Sequence, residues 1–155
     1  MKKLSFILSA LLIVGLLACN NSANEAPAKD AKQAEADSLE NEVMEGHNVG
    51  MAKMHKISNL KGETQRLIDS IDKLPAKARQ AAASYKINLE SLKNDLTKAG
   101  DAMNQWMENF KLDSAKSDLE KRIKYLTDEK LKVGNVKESI LQSLQKADSL
   151  IKAKI

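Results

Sequence analysis

The chain is 155 residues long and predicts an all-α fold, an antiparallel three-helix bundle of long helices. Three observations carry that reading. Apolar residues from Ala78 to Phe110 recur at alternating spacings of four and three, which is a heptad seam. Breakers are scarce: the chain has only two prolines, and one of them, Pro75, falls between two helix-period segments. The content of Ala, Lys, Leu, Glu and Gln is that of long helices, and only 3% of residues are aromatic.

The N-terminal segment is organised differently. Lys2 and Lys3 precede an apolar stretch from Leu4 to Leu17, and Leu16-Leu17-Ala18 leads into Cys19, the only cysteine. A basic start, a short apolar run and a small residue at the cut define a secretory signal, too short to stay as a spanning helix. With Cys19 next, the layout resembles a bacterial lipoprotein signal. It implies a leader at residues 1–18, an acylated first residue at Cys19, and anchoring to a bacterial membrane in the cell envelope, facing the periplasm. Acylation also accounts for a lone cysteine in an oxidising compartment. Asn20 and Asn21 follow it, with no acidic run of the kind found in surface-export signals.

Residues 19–37 read as a flexible tether, because the stretch has no large apolar side chain to bury. The helical domain, residues 38–155, then holds three elements. Asp37 with Glu40 forms a capping pair for a first helix reaching about Leu74. Pro75 marks the break. The second helix, Ala76 to Lys111, carries the clearest seam: Ala78, Ala82, Tyr85, Leu89, Leu92, Leu96, Ala99, Met103, Trp106 and Phe110. A link at Leu112-Asp113 and a capping box from Ser117 to Glu120 open the third, which runs to Lys154. Its seam is Leu119, Ile123, Leu126, Val133, Ile140, Leu144, Ala147 and Ile151, interrupted by Lys130 and Lys137. The seam keeps phase across Gly134, so a single helix is expected there despite a cost of about 1 kcal/mol.

Each helix has one apolar stripe to cover, so three helices joined by short links fold back on one another. The expected rod is roughly 50–55 Å long at 1.5 Å per residue. A homo-oligomer would satisfy the same stripes as well as a monomer does.

Charge narrows the function. The net charge is +4, but Lys2 and Lys3 leave with the leader, so 23 basic residues face 21 acidic ones, a net +2. Both signs are interleaved without a basic stripe or stacking rings, which argues against a nucleic-acid partner. With two histidines, no His-Glu-x-x-His, no Gly-rich phosphate loop and Cys19 acylated, no nucleophile and base set can be assembled. The chain reads as a non-enzyme, a structural or interaction module with an envelope protein as partner.

Its methionines and histidines suggest a sharper alternative. Past the leader they all fall in two segments, Met44, His47, Met51, Met54 and His55 on the first helix and Met103 with Met107 on the second. At about 100° per residue, the first set spans an arc of about 100°. If the chain reverses near Pro75, residues whose numbers sum to about 150 stand level. Met44 would then face Trp106, His47 would face Met103, and Gly50 would face Gly100. Thioether sulfur is a soft ligand that favours Cu(I), and imidazole suits copper and zinc alike. Met44, His47, Met51, Met103 and Met107 are the candidate metal ligands, with Met54, His55 and Trp106 beside them. Gly46, Gly50 and Gly100 would leave room for a ligand. Against this stands ordinary packing, since methionine fills irregular cores, Trp106 can serve as a core anchor, and His55 beside Lys56 can face solvent. Without Cys-x-x-Cys-His, c-type haem is excluded, while b-type haem between His47 and Met103 or Met107, or an apolar ligand in the core, is a second alternative.

The same residues carry a resemblance. Glu42-Val43-Met44-x-x-His47-x-x-x-Met51-x-x-Met54 and Asp101-Ala102-Met103-x-x-Trp106-Met107-x-x-Phe110, with the leader and the long last helix, resemble small helical lipoproteins of Bacteroidetes labelled viral A-type inclusion protein. That label derives from coiled-coil likeness. The resemblance implies a lipid-anchored helical protein and no particular activity. Asn48 and Asn104 stand where it would put Asp and Met.

Overall fold

The computed structural model describes residues 22–152 and is all-helical there, with no strand. Four helices follow in order: α1 (Ser22–Asp72), α2 (Ala76–Ala81), α3 (Ala83–Asn109) and α4 (Leu119–Lys152). The leader and Cys19 lie outside the described residues.

α1 is longer than its sequence suggests. The segment expected as a coil tether is already helical from Ser22, and Ala36 is buried at 2% exposure in the core. Ala, Lys, Glu and Gln are strong helix formers, and extending a helix that packing has nucleated avoids the cost of a new nucleus. Asp37 and Glu40 are therefore not a cap. Asp37 accepts a hydrogen bond from Gln33 one turn earlier, and Glu40 pairs with Arg122 of α4.

The expected second helix is two. α2 and α3 meet at Ala82 (φ −87°, ψ 0°), whose N–H still bonds the Ala78 carbonyl. No Gly or Pro marks that joint, so periodicity alone runs through it. Phe110 ends α3 in an extended conformation (ψ 130°). α4 starts one residue later than the Ser117–Glu120 box implies: Asp118 caps it, accepting the Lys121 N–H at 3.2 Å. The helix then passes unbroken through Gly134.

Contacts fix the register. Between α1 and α3 the partners run in opposite order, Asp72 with Lys86, Gln65 with Lys93, and His47 with Met107. Between α3 and α4 they do so again, Phe110 with Tyr125, Trp106 with Glu129, and Asp95 with Lys146. Between α1 and α4 they run in the same order, Lys32 with Glu120, Glu42 with Lys130, and Lys56 with Asp148.

One core lies along the three long helices, with Val43 and Ile57 from α1, Leu92, Leu96 and Met103 from α3, and Leu126, Val133 and Ile140 from α4. A smaller cluster of Ile68, Ile71 and Leu89 closes the end near Pro75. Each fully buried Leu or Ile contributes about 1.5–3 kcal/mol, whereas the exposed ion pairs along the surface contribute about 0–1 kcal/mol each. The seam of α4 passes through Glu129 and Val136 rather than Lys130 and Lys137. Glu129 is buried, Val136 packs against the core, and Lys130 turns outward to Glu42.

Candidate functional site

The helical phase of α1 decides which sulfur and nitrogen atoms reach the interior. Val43, Gly46, Gly50 and Ile57 are the buried residues of this stretch, so they define its inward line. At about 100° per residue the methionine and histidine arc lies to one side of that line, and only its near edge, His47 and Met54, leans in. Met51 is 38% exposed and points away from the core. His55 is exposed as well, its ring nitrogen 3.0 Å from Asn59 on the same helix. Met44 is half-buried on the flank. The narrow arc is real, but it is not the face that packs.

α3 supplies the other half. Met103 is fully buried, and its methyl group occupies the space a side chain at Gly50 would need, with Ile140 also close to that position. That close approach gives Gly50 its purpose, since any Cβ there would displace Met103 or be displaced by it. Met54 and Ile57 pack over Gly100. The two sulfur-rich stretches do stack, one helical turn out of the expected register. His47 meets Met107 and Trp106 rather than Met103, and Gly50 meets Met103 rather than Gly100. The hairpin turns through α2 rather than at Pro75 itself, which moves the level pairs from a sum of about 150 to about 154.

His47 is the centre of this arrangement. Its Nδ1 lies 3.1 Å from Asn48 Oδ1, its Nε2 lies 3.4 Å from the Met107 sulfur, and its ring sits 5.7 Å from that of Trp106, tilted by 38°. Trp106 stacks on Phe110 at 4.8 Å, and Phe110 on Tyr125 at 6.2 Å, so an aromatic ladder leads from α1 to α4. The indole N–H of Trp106 donates to Glu129 Oε2 at 2.9 Å, and Lys132 donates to the other carboxylate oxygen at 2.7 Å. That carboxylate holds the Lys132 ammonium above its ordinary pKa. A little further along, buried Arg122 donates to the Ser114 carbonyl at 2.8 Å and to Glu40 at 2.6 Å, tying the α3–α4 link to α1.

Glu129 and Arg122 were not singled out by sequence reasoning. The signal for Glu129 was present, because Leu126, Glu129, Val133, Val136 and Ile140 keep the alternating three and four spacing if a carboxylate is allowed on the seam. Arg122 left the same trace one step earlier, three after Leu119 and four before Leu126, if a guanidinium is allowed on the seam.

Among the described residues no group of three or more His, Cys, Asp or Glu is placed to hold a metal ion. No helix among the described residues is long and apolar enough to cross a membrane. No family model matches the chain, and no curated protein or solved structure matches it.

Proposed function

We propose that this chain is a lipid-anchored module of the bacterial cell envelope, an antiparallel three-helix rod with a structural or protein-interaction role. The observation that carries the reading is the continuity of α1, which begins at Ser22, three positions after Cys19, and runs without a break into the core of the bundle. An acyl chain at Cys19 would then lie three residues from a helix that runs into the bundle. The end bearing the α3–α4 link would face the membrane, and the turn at Pro75 would stand away from it. The resemblance to small helical lipoproteins supports the same reading, as do the mixed-charge helix faces.

Fractionation and crosslinking test it together. The wild-type chain should partition with membranes and take up a labelled fatty acid, and Cys19→Ala should lose both properties while keeping its helical circular dichroism. Photo-crosslinkers on the outward faces of α3 and α4 should capture one reproducible envelope protein from intact cells. An unlabelled, membrane-free wild type would remove the anchor, and no reproducible capture would remove the interaction role.

A further inference from the structure

We propose that the hairpin end of the rod, from Lys73 to Ile87, is a docking tip for an anionic lipid bilayer. Over the whole chain basic and acidic residues nearly balance, but folding sorts them by end. From Lys73 to Leu89 the sequence holds Lys73, Lys77, Arg79 and Lys86 and no Asp or Glu. The carboxylate just before them, Asp72, is already engaged, accepting from Lys86 at 2.5 Å. The opposite end leans the other way. Residues 28–45 of α1 carry six carboxylates and two lysines, and Arg122 and Lys130 of α4 pair with two of the six.

α2 makes the basic end an exposed platform. It buries none of its residues, and the ten positions from Asp72 to Ala81 are all exposed. A six-residue helix that covers no core is nevertheless fixed in place. Arg79 donates to the Asp72 carbonyl at 3.2 Å, and the Ala82 N–H bonds the Ala78 carbonyl where α2 passes into α3. Between the basic residues stand Ala76, Ala78 and Ala81, too small to hold a flat surface away. Leu74 is 39% exposed and Ile87 is 63% exposed. Apolar side chains among lysines suit a bilayer interface, where the charged groups meet phosphates and the apolar ones enter the acyl boundary. A soluble polyanion would engage the charges alone. Polarity along the rod adds orientation, because an anionic surface attracts the basic tip, repels the acidic end and is met end-on. With a lipid at Cys19, the tip would stand about 76 Å from its own bilayer, turned to a facing one. That bridging role rests on the anchor proposed above, whereas attachment of the tip to a bilayer does not.

The test uses residues 19–155 carrying Cys19→Ala, which retain every described helix, with vesicles of phosphatidylcholine alone or mixed with phosphatidylglycerol. Co-sedimentation should show binding to the anionic vesicles only, lost near 1 M salt, where the screening length contracts to about 3 Å. Each Lys or Arg at an anionic surface strengthens attachment by about fivefold, so Lys77→Gln with Arg79→Gln should weaken it about 25-fold. Lys53→Gln with Lys98→Gln removes the same charge from the sides of the rod and should match the parent. Leu74→Ser with Ile87→Ser should weaken binding by about tenfold, through apolar surface withdrawn from the interface. Equal weakening by the tip pair and the side pair would mean that net charge alone is read, and the docking tip would fall. Undiminished binding after Leu74→Ser with Ile87→Ser would replace the bilayer with a soluble acidic partner. A fluorophore on Gln80→Cys should shift to the blue on anionic vesicles and one on Ser117→Cys should not; the reverse would put the wrong end at the surface. Failure of the anchor shows separately, as absent fatty-acid labelling of the wild type, and leaves these vesicle results unchanged.

Discussion

At the scale of single residues, the informative side chains are polar ones held inside an apolar seam. Glu129 is 5% exposed and survives there because both carboxylate oxygens have donors, the Trp106 indole and the Lys132 ammonium. Removing it would orphan the indole N–H, whose residue is only 6% exposed. An unsatisfied buried donor costs about 1–3 kcal/mol, and the space left by the side chain adds to that. Glu129→Ala is therefore expected to lower unfolding free energy by about 2–3 kcal/mol in urea denaturation. Glu129→Gln keeps an amide oxygen for the indole and should cost less than half as much. Equal losses for the two variants would show that charge, not the hydrogen bond to Trp106, holds this part of the bundle. The same residue explains why part of the site escaped a reading by hydropathy: a carboxylate on a heptad seam looks like an interruption until its two donors are seen. Met51 shows the converse error. Its residue type and spacing fit the stripe, but the inward line of α1 is drawn by Val43, Gly46, Gly50 and Ile57, and small residues carry little weight in an apolar pattern.

At the scale of elements, the helices were legible and their ends were not. The α3 seam from Leu89 to Trp106 and the α4 seam from Leu126 to Ala147 are buried as their spacing implies, because alternating steps of three and four are imposed by helix geometry whatever the partner. The ends depend on local hydrogen bonds that short patterns share. Ser117–Glu120 and Asp118–Lys121 compete as starts for α4, and the aspartate prevails by bonding both the backbone N–H and the ammonium of Lys121. Accepting from the Lys121 ammonium, and next from the Lys121 N–H, holds the Asp118 carboxyl below its ordinary value of 3.8. A folded-state value below the unfolded one means that the cap stabilises fully at pH values above about 4–5. The contribution is lost as pH falls through the lowered folded-state value. Carbon-detected NMR titration should accordingly place the Asp118 midpoint below 3.8. Asp118→Ala should fray the first turn of α4 at neutral pH and remove that part of the acid sensitivity. A midpoint at or above the ordinary value would contradict the cap.

At the scale of the whole molecule, α1 sets the dimensions. Its 51 residues span about 76 Å at 1.5 Å per residue, longer than the 50–55 Å expected when residues 19–37 are taken as coil. Composition led to coil because the stretch buries no large side chain, and burial is only one of two routes to order. The other is extension of a helix already nucleated by its neighbours, which needs propagation alone. The two routes leave different signatures in amide hydrogen exchange. From Ala36 onward, where α1 joins the core, exchange should require opening of the bundle, with protection approaching that of the most stable amides. Residues 28–35 are exposed, and Lys32 is tied to α4 through Glu120 alone, a pair worth about 0–1 kcal/mol. These amides should be helical yet weakly protected, by roughly tenfold over coil, as fits a helix held by propagation near s of about 1–1.6 per residue. Random-coil exchange rates at 28–35 would make the segment a tether after all, and the rod would reach the membrane through loose chain. Core-level protection there would instead require a covering partner, a second copy of the bundle being the one available in a purified sample, and dilution would then release it.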